Sequence, residues 1–445
     1  MDIEKNLFQF LKKNLSKSAS LLLALSGGPD SLCLAQLLFE FQKDLNYTLE
    51  IAHVDHGIRL ESKTEKELLE KWANEKKIPF HTTSLEKVEK RNLEAVLREK
   101  RYEFFKSIFN AKKYQALVLG HHQNDLEETV LKRLLEGASF DQLCPLTEIS
   151  KIDEMLIWRP LINASKEEIL NYAYEKKLTP FIDRTNFDLS NLRSKMRQVI
   201  IPQLEKQFGK KVRSNLKALS DASKDFSSYM NEKVNINLYL TSSDLGHCYD
   251  FSKNCPHPFE LRYGLKKSLK ELGISIQREE LMKSVDWIFK KSTNKQLIKG
   301  KHVLYFDRGR LIVLSPDVQK EIKNKVLLSV GHHRVGKWQV FVEETFDQEL
   351  EKTNWKDLFT QKGGVISQLP KGEYFLRNID QKNDRFDFGK KLEKHVRSHY
   401  VPSCLTQLIP VIEFEGKIAA EFYTGEKKIN NGKNGLNISI LYKKD

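Results

Sequence analysis

Residues 21–31 read Leu21-Leu22-Leu23-Ala24-Leu25-Ser26-Gly27-Gly28-Pro29-Asp30-Ser31, and a helical pattern starts at Leu32. The apolar residues are typical of a strand that is buried on both faces, as in a parallel sheet. The two glycines let backbone N–H groups approach a ligand without interference from a Cβ atom. We expect Ser31 to cap the following helix, whose first amides and positive dipole end would face the same anion. The stretch therefore predicts an α/β fold with a phosphate-binding loop after its first strand.

The loop differs from a Walker loop, because no Lys-Ser/Thr pair follows the glycines and Asp30 stands where that lysine would be. The pattern Ser-Gly-Gly-x-Asp-Ser resembles the pyrophosphate loop of the ATP pyrophosphatases. Those enzymes hold the leaving pyrophosphate and transfer AMP onto a carbonyl oxygen. The alternative is a strand-to-helix turn that carries two glycines without a ligand. The apolar strand before the glycines and the helix after them favour the phosphate loop.

The chain has 445 residues, of which 40% are hydrophobic and 30% are charged. This length predicts two or three domains, and the composition is typical of a soluble globular protein. No long uncharged apolar run predicts a transmembrane span, and the N-terminus lacks the layout of a signal peptide. We therefore expect a cytoplasmic protein without membrane contact. The five cysteines are scattered and lack Cys-x-x-Cys spacing, which argues against a disulfide framework.

The formal net charge of +14 favours a polyanionic partner. Nucleic acid leads over an anionic membrane, because no lipid anchor or strongly amphipathic basic helix is present. Two basic runs are candidates for this contact, and the alternative for both is a solvated helix face. The runs consist of Lys210, Lys211, Arg213 and Lys217, and of Arg262, Lys266, Lys267 and Lys270.

Short apolar runs alternate with helical patterns from Leu21 to about Leu135, which is the signature of βαβ units. We therefore predict a doubly wound parallel sheet in a nucleotide-binding domain over residues 1–207. Residues 208–325 predict a mainly helical domain that is closed by a hairpin around Asp307-Arg308-Gly309. Residues 326–445 carry short β-rich segments and predict a small, mainly β third domain.

The second predicted strand ends in His53-Val54-Asp55-His56-Gly57. Ligands of open parallel sheets gather at the carboxyl ends of the strands, so this motif should lie beside the loop. We predict that His53 and Asp55 contact the adenine or the ribose of a nucleotide. The alternative is that His53 packs beneath the sheet and that His56 caps the next helix.

Another strand end carries Gly120-His121-His122-Gln123-Asn124-Asp125-Leu126-Glu127-Glu128-Thr129 and continues into a helix. Asp125 and Glu128 are about one turn apart on one helix face. Paired carboxylates near a triphosphate predict Mg²⁺ coordination. The alternative is capping by Asn124, with acids that complement the helix dipole. Zinc at His121 and His122 is disfavoured, because no third ligand converges on them.

Further candidate residues are arginines in three segments. Arg98 follows Asn92-Leu93-Glu94 on a predicted helix, where ordinary ion pairs are the alternative. Arg159 precedes Pro160-Leu161, and a polar loop over residues 183–188 leads to Arg193 and Arg197. These last two are one turn apart and could act as a joint fork on phosphate, with plain surface charge as the alternative. Pro202 predicts a kink in the same basic helix.

The order of these motifs resembles that of the tRNA(Ile)-lysidine synthetase family. The resemblance covers about the first 205 residues densely. It is weaker in the tail, where the matching segments are Leu376-Arg377, Asp384-Arg385, Lys391-Leu392, Val401-Pro402 and Leu408-Ile409-Pro410-Val411. Two positions depart from the family pattern. Ser194 follows Arg193 where the family commonly has Asn, and Thr406-Gln407 replaces an expected arginine.

The resemblance implies ATP-dependent attachment of free L-lysine to the wobble cytidine of a tRNA(Ile) with a CAU anticodon. ATP adenylates the 2-carbonyl oxygen of the base and releases pyrophosphate, and the lysine ε-amine then displaces AMP. ATP and Mg²⁺ are the implied cofactors. The implied nucleotide-binding residues are Ser26, Gly27, Gly28, Pro29, Asp30, Ser31, His53 and Asp55. The implied catalytic residues are Asp30, Asp125, His121, Arg98 and Arg193, and the implied metal ligands are Asp30, Asp125 and Glu128.

The identity of the general base stays open within this implication. Asp125 and His121 are both candidates for the base that takes the amine proton. The oligomeric state is open as well, and a homodimer is one expectation. A tRNA thiolation enzyme with the same type of loop is the nearest alternative function, but it would use cysteines to carry sulfur. A non-catalytic tRNA-binding protein is the alternative from another class.

Overall fold

The computed structural model describes residues 3–55, 61–85, 93–181, 192–209, 211–316, 318, 322, 324–346, 354–361, 363–378, 392–406, 408–424 and 434–443. The chain divides into two compact units, residues 1–228 and 229–445. The predicted domain boundaries at 207/208 and 325/326 stay predictions. Several residues of the sequence analysis lie outside the described ones, namely His56, Gly57, Asn92, residues 183–188, Lys210, Asp384, Arg385, Lys391 and Gln407.

A six-stranded sheet lies at the centre of the first unit. Its strands are β1 (Ser20–Ala24), β2 (Thr48–Asp55), β3 (Phe80–Ser84), β4 (Ala116–Val118), β5 (Ile149–Ile152) and β6 (Met155–Trp158). The strand order is β3-β2-β1-β4-β6-β5, and every pair except β5 with β6 is parallel. The predicted parallel sheet is therefore confirmed, with one antiparallel strand at its edge.

Helices flank both faces of this sheet. The helices described over residues 3–233 are α1 (Ile3–Asn14), α2 (Pro29–Leu45), α3 (Glu61–Glu75), α4 (Leu93–Lys112), α5 (Gln123–Leu135), α6 (Lys166–Glu175), α7 (Leu192–Lys195), α8 (Ile201–Phe208) and α9 (Val212–Lys233). Helices α8 and α9 pack against α5. Neighbouring residues of a strand point to opposite faces. Leu21 and Leu23 of β1 accordingly pack into one core with α1, α2 and α6, whereas Leu22 packs into another core with α4. The fold is doubly wound, as predicted.

The sheet changes its winding direction next to β1, which pairs with β2 on one side and with β4 on the other. In open α/β sheets, ligands bind in the crevice outside the carboxyl ends of the strands at such a switch point. Ser26 follows β1 closely, and His121 follows β4. The loop and the histidine motif therefore meet at the place where this architecture binds ligands.

Two helix starts differ from expectation. The N-cap of α2 is Gly28, in an extended conformation, and Pro29 takes the first helical position. The prediction that Ser31 caps this helix is wrong, because Ser31 lies inside the first turn. Helix α5 is capped by His122, in a capping box with Asp125, so Asn124 does not have that role.

The basic helix that contains Pro202 is interrupted near this proline. A π-helical turn, Met196–Ile200, separates α7 from α8. Pro202 has no N–H group to donate to the preceding turn, so the helix cannot run on with regular hydrogen bonds. In the described part of the chain, no helix has the length and apolar character needed to cross a membrane.

The second unit contains helices α10 (Pro258–Glu271) and α11 (Arg278–Phe289), packed on a five-stranded antiparallel sheet. The strands of this sheet are β7 (Leu240–Ser243), β8 (Gly246–Asp250), β9 (Lys295–Lys299), β10 (His302–Asp307) and β11 (Arg310–Leu314). The hairpin of β10 and β11 was predicted and is confirmed. Strands β7, β8 and β9 were not predicted, because they are short and lie in polar stretches.

The rest of the second unit is mainly β, as predicted. One four-stranded sheet consists of β12 (Val326–Leu328), β16 (Tyr374–Arg377), β17 (Val411–Phe414) and β18 (Lys417–Glu421). The other consists of β13 (Gly331–Val335), β14 (Trp338–Phe346), β15 (Gly364–Pro370) and β19 (Asn434–Tyr442). A short helix, α12 (Leu392–Ser398), accompanies them. Strands β17 and β18 form a hairpin around Glu415-Gly416.

Candidate active site

Ser31 closes the loop between β1 and α2 by hydrogen bonds. Its hydroxyl donates to the Gly28 carbonyl oxygen over 3.1 Å and accepts from the Ser26 backbone N–H over 3.2 Å. The two serine hydroxyl oxygens are 3.1 Å apart, and Ser31 is buried. The loop is therefore held in one shape by its own side chains before any ligand binds.

The two glycines of the loop have different surroundings. Gly27 has a φ of +84°, a conformation that L side chains rarely adopt, and a Cβ atom there would lie 2.7 Å from Cδ2 of Phe181. The Gly27 carbonyl oxygen also accepts a hydrogen bond from the Phe181 N–H over 3.0 Å. At Gly28, the nearest atom to an added Cβ would be the Ser26 hydroxyl oxygen, at 3.8 Å. Packing thus requires Gly27, whereas Gly28 borders open space.

His122 lies between two carboxylates. Its Nε2 is 3.7 Å from Oδ2 of Asp30 and 3.6 Å from Oδ2 of Asp125, and its side chain is almost fully buried. Its Nδ1 accepts the backbone N–H of Asn124 over 3.2 Å. In the neutral ring the proton is therefore on Nε2, which faces both acids. The structure thus brings Asp30 of the loop and Asp125 of the second motif to one imidazole.

Arg193 and Arg197, which follow the polar loop, form ion pairs with Asp125 and Glu128. Arg193 Nη2 is 2.8 Å and Arg197 Nη2 is 3.2 Å from Oδ1 of Asp125. Arg197 Nε is 2.6 Å from Oε1 of Glu128, and Arg193 Nε is 3.3 Å from Oε2. Burial alone would raise the pKa of Asp125, but His122 and Arg193 outweigh it and lower that pKa. The Asp125 carboxylate is therefore ionised at neutral pH.

His121 differs from its neighbour, because its Nδ1 is buried and has no hydrogen-bond partner among the described residues. Burial lowers the pKa of His121 to about 4; Asp125 acts in the opposite direction, and Arg159 adds to the lowering. The ring is therefore neutral at pH 7 and offers a nitrogen that nothing in the described protein uses. A buried polar atom of this kind is a candidate contact for a substrate.

Lys166 is the residue of this site that sequence reasoning missed. It is the first residue of α6, and its Nζ lies 2.5 Å from Oδ1 of Asp30. The local pattern Ser165-x-x-Glu168 marks a helix start with a capping box, so the position of Lys166 on that helix was readable. The packing of α6 against α2 was not readable, and that packing brings the ammonium to the loop.

Other predicted residues lie nearby but are engaged in the fold. His53 is buried, and its Nδ1 is 2.8 Å from the carbonyl oxygen of Leu25, the residue before the loop. Burial lowers its pKa. Asp55 is also buried. Arg98 is exposed and lies over the ring of Tyr102, with its guanidinium carbon 5.0 Å from the ring centre. The predicted contacts of these residues with a nucleotide stay predictions.

Arg159 donates hydrogen bonds to residues in and just before strand β5, at the edge of the sheet. Its Nη1 donates to the Thr147 carbonyl oxygen over 3.1 Å and to the Ser150 hydroxyl over 2.8 Å. The side chain is buried, and its Nε has no partner among the described residues. The hydrogen bonds that are present support a structural role for this arginine, next to the ring of His121.

A known protein family and several curated relatives match this chain. Residues 1–204 match the PP-loop domain family. A tRNA(Ile)-lysidine synthase of Protochlamydia amoebophila (strain UWE25) is 32% identical to this chain, over 98% of the chain and 96% of the relative. This chain belongs to the tRNA(Ile)-lysidine synthase family. It is therefore a ligase whose first part is a PP-loop ATP-binding domain.

Further relatives extend the match. A tRNA(Ile)-lysidine synthase of Persephonella marina (strain DSM 14350 / EX-H1) is 26% identical over 94% of this chain and 93% of the relative. One of Chlamydia pneumoniae is 30% identical over 64% of this chain and 89% of the relative. Among solved structures, the U34-tRNA thiolase NcsA from Methanococcus maripaludis is 19% identical, with a TM-score of 0.44 over 51% of this chain and 78% of that chain.

The raised pKa values of the cysteines are a separate argument against the thiolation alternative. Burial raises the pKa of Cys33 and that of Cys248 to about 12, and it also raises the pKa values of Cys255 and Cys404. A thiol with a raised pKa carries little thiolate at neutral pH and is a poor nucleophile. These four cysteines therefore suit packing better than sulfur transfer.

Proposed function

We propose that this PP-loop synthase modifies the wobble cytidine of a tRNA(Ile) with a CAU anticodon in two steps. In the first step, the 2-carbonyl oxygen of the base attacks the α-phosphorus of ATP, and pyrophosphate leaves. In the second step, the ε-amine of free L-lysine attacks C2, and AMP leaves with the oxygen. One observation carries this proposal: Asp30 of the loop and Asp125 of the second motif converge on His122 at the switch point of the sheet.

The loop over residues 26–31 would bind the pyrophosphate part of ATP. The start of α2 contributes backbone amides and the positive end of the helix dipole. The hydroxyl of Ser31 already holds the loop closed. A site that is shaped in advance stabilises the charge that develops on the leaving group without a further rearrangement.

Asp30 fits a role as ligand of Mg²⁺, because it is partly exposed and stands at the loop. Magnesium takes one or two carboxylates together with phosphate oxygens, and it would supply charge neutralisation and orientation of the triphosphate. Asp125 and Glu128 fit less well than the sequence suggested, because both oxygens of each carboxylate already accept hydrogen bonds within the protein. Asp30 is therefore the main metal ligand in this proposal. Among the residues the structure describes, no group of three or more His, Cys, Asp or Glu is arranged to hold a metal.

The second step needs a neutral lysine amine, so a nearby group must take its proton. We assign this role to His121, whose buried Nδ1 is without a partner among the described residues. Its pKa of about 4 in the unliganded protein is low for a base. The negative charge of ATP would raise that pKa toward the working range, since a nearby anion favours the protonated ring. Asp125, together with Arg193, would orient the amine.

The tRNA body would bind to basic surface outside the cleft, because a single base offers little contact area. Recognition of this kind depends on phosphate contacts and on the shape of the RNA. We also propose a cytoplasmic location, because tRNA is modified there. Arg98, exposed at the edge of the site, is our candidate for a contact with a substrate phosphate. The homodimer stays a prediction, which light scattering on the purified protein tests.

The decisive test is incorporation of labelled lysine. The purified protein is incubated with ATP, Mg²⁺, labelled L-lysine and total tRNA, and the modified tRNA is isolated by hybridisation. We expect label in one isoleucine tRNA and an activity that depends on ATP. Asp30→Ala and Asp125→Ala should each lower the rate at least ~100-fold, as is usual for groups that stabilise charge in a transition state.

A matched control is Asp44→Ala, which removes an exposed carboxylate at the far end of the same helix α2. Full lysidine formation by the Asp30 and Asp125 variants would contradict the assigned roles. Binding of tRNA without any tRNA-dependent exchange between ATP and pyrophosphate would instead support the non-catalytic alternative.

A further inference from the structure

The ion pair of Lys166 with Asp30 lies at the loop between β1 and α2. Lys166 Nζ is 2.5 Å from Oδ1 of Asp30, and the two residues are 136 positions apart in the chain. Both side chains are about one-third exposed, at 34% and 28%. The ammonium is therefore reachable from solvent and is not part of a closed core.

The backbone of Lys166 is fixed on three sides. Ser165 caps α6 in a box with Glu168, and the Lys166 N–H lies 3.3 Å from Oδ1 of Asn124 at the start of α5. Further along α6, the Tyr172 hydroxyl donates to Glu40 of α2 over 3.2 Å. Helices α6 and α2 are thus joined near both ends. The flexible side chain of Lys166 is the part that can respond to a ligand.

The charged residues around the loop indicate which group the ammonium of Lys166 could bind. Residues 26–31 contain no lysine or arginine, although the loop has to hold a highly charged leaving group. Arg193 and Arg197 are already engaged with Asp125 and Glu128. The partner of Lys166 is Asp30, which the proposed function assigns to the metal-bound nucleotide. Once Asp30 binds the metal ion of the nucleotide, the ammonium of Lys166 no longer has a carboxylate partner. It would then lie next to the phosphates.

We propose that Lys166 is a catalytic residue that binds the leaving pyrophosphate, and that its pair with Asp30 is the resting state of the empty site. This inference rests on the proposed function. When ATP binds, the ammonium moves from the carboxylate to an oxygen of the β- or γ-phosphate. During adenylation the bond between the α-phosphorus and its bridging oxygen breaks, and the electron pair stays on that oxygen. Lys166 offsets the charge that accumulates on the pyrophosphate.

Lys166 would thus do the work of the lysine that a Walker loop carries within its own sequence. Here the cation comes from a different helix, 136 residues further along the chain. In this proposal, Asp30 serves the magnesium ion and Lys166 serves the triphosphate.

The test compares Lys166→Met and Lys166→Arg with Lys176→Met. Lys176 is a matched control, because it follows α6, is also 34% exposed, and pairs with Glu40 and Glu4 away from the loop. Binding of magnesium pyrophosphate to the full chain is measured by titration calorimetry, without tRNA or lysine. Inhibition of lysidine formation by pyrophosphate and the Mg²⁺ concentration for half-maximal rate are measured in parallel.

We expect Lys166→Met to weaken pyrophosphate binding about 10- to 100-fold, the usual effect of losing a hydrogen bond to a charged group. Lys166→Arg should recover most of the affinity, and Lys176→Met should bind like the wild type. Unchanged pyrophosphate affinity in Lys166→Met would overturn the inference. A raised Mg²⁺ requirement with normal pyrophosphate affinity would overturn it too, since Lys166 would then only orient Asp30. A wild type that binds pyrophosphate but forms no lysidine would count against the proposed function alone.

Discussion

Arg197 and Glu128 form a two-point ion pair in which Nε is 2.6 Å from Oε1 and Nη2 is 2.9 Å from Oε2. Glu128 is only 2% exposed, so this carboxylate is committed to the arginine. A guanidinium fork on a carboxylate fixes direction as well as distance. The pair therefore anchors the π-helical turn before Pro202 to helix α5 and keeps both arginines beside Asp125.

Removal of Glu128 should therefore loosen the site. Glu128→Ala leaves two arginines without one of their partners, and the loss of one half of a buried pair is strongly destabilising. Because the arginines are about two-fifths exposed, we expect a smaller cost of roughly 1–3 kcal/mol in the free energy of unfolding. Urea titration of the full chain measures it.

The control for this prediction is Glu136→Ala, which removes an exposed carboxylate 3.8 Å from Lys132. Exposed pairs contribute little, so this variant should stay within about 0.5 kcal/mol of the wild type. Equal effects of the two substitutions would mean that Glu128 does not hold the arginine fork.

The two loop glycines should respond to alanine in opposite ways. Gly27→Ala places a Cβ at positive φ and 2.7 Å from Phe181, so we expect a loss of about 1–3 kcal/mol in stability. Gly28→Ala keeps an allowed extended conformation, with φ −70° and ψ 164°, and meets no close atom. Its stability should change by less than about 1 kcal/mol.

Gly28→Ala should nevertheless weaken ATP binding, because its methyl group would enter the open space where the phosphates approach the helix start. Calorimetric titration with ATP and thermal unfolding of both variants separate the two effects. Normal ATP affinity in a stable Gly28→Ala variant would show that the nucleotide does not pass this position.

Much of this architecture was readable from local patterns. The apolar run before Ser26 and the glycines after it predicted a strand, a loop and a helix, and the structure contains all three. Polar motifs at the ends of β2 and β4 predicted where the site lies, because carboxyl ends of parallel strands share one edge. Each of these patterns extends over only a few neighbouring residues. Each also depends on residue types that are typical of one local conformation.

The partners of the site residues were not readable in the same way. The sequence indicated that Asp125 and Glu128 share a helix face, but it did not show that Arg193 and Arg197 reach them across 65 to 72 positions. The ammonium of Lys166 likewise reaches Asp30 only because α6 packs on α2. Such contacts arise from tertiary packing. The periodicity of apolar residues along the sequence predicts helices and strands, but it does not predict which of them pack together. Strands β7 and β8 were missed for a related reason, since cross-strand pairing sustains them.

Stability should depend on pH through His121. Its pKa is about 4 in the folded chain, below the value of about 6.5 for an unperturbed histidine. Between these values the unfolded chain binds a proton that the folded chain does not, so stability falls as the pH is lowered through this window. The loss approaches about 1.4 kcal/mol per pH unit at most.

His121→Gln should remove this part of the pH dependence. We expect the stability difference between wild type and variant to shift by roughly 1–3 kcal/mol between pH 7 and pH 4, in favour of the variant at low pH. Thermal unfolding at a series of pH values measures the shift, and His332→Gln, at an exposed ring, serves as control. Parallel pH profiles of wild type and His121→Gln would contradict the burial of an uncharged ring.

Binding of tRNA should weaken steeply with salt, and helix α9 allows a test of which cations contribute. Arg213 is engaged in the fold, because its Nη1 lies 3.1 Å from Glu127 and its Nε lies 3.1 Å from Glu205. Lys211 is exposed at the start of the same helix. If Lys211 contacts a phosphate, Lys211→Ala lowers the slope of log affinity against log salt by about 1. Arg213→Ala should instead reduce stability and leave that slope unchanged. Fluorescence anisotropy with labelled tRNA between low and high salt measures the slopes, and an affinity that stays constant with salt would contradict an electrostatic interface.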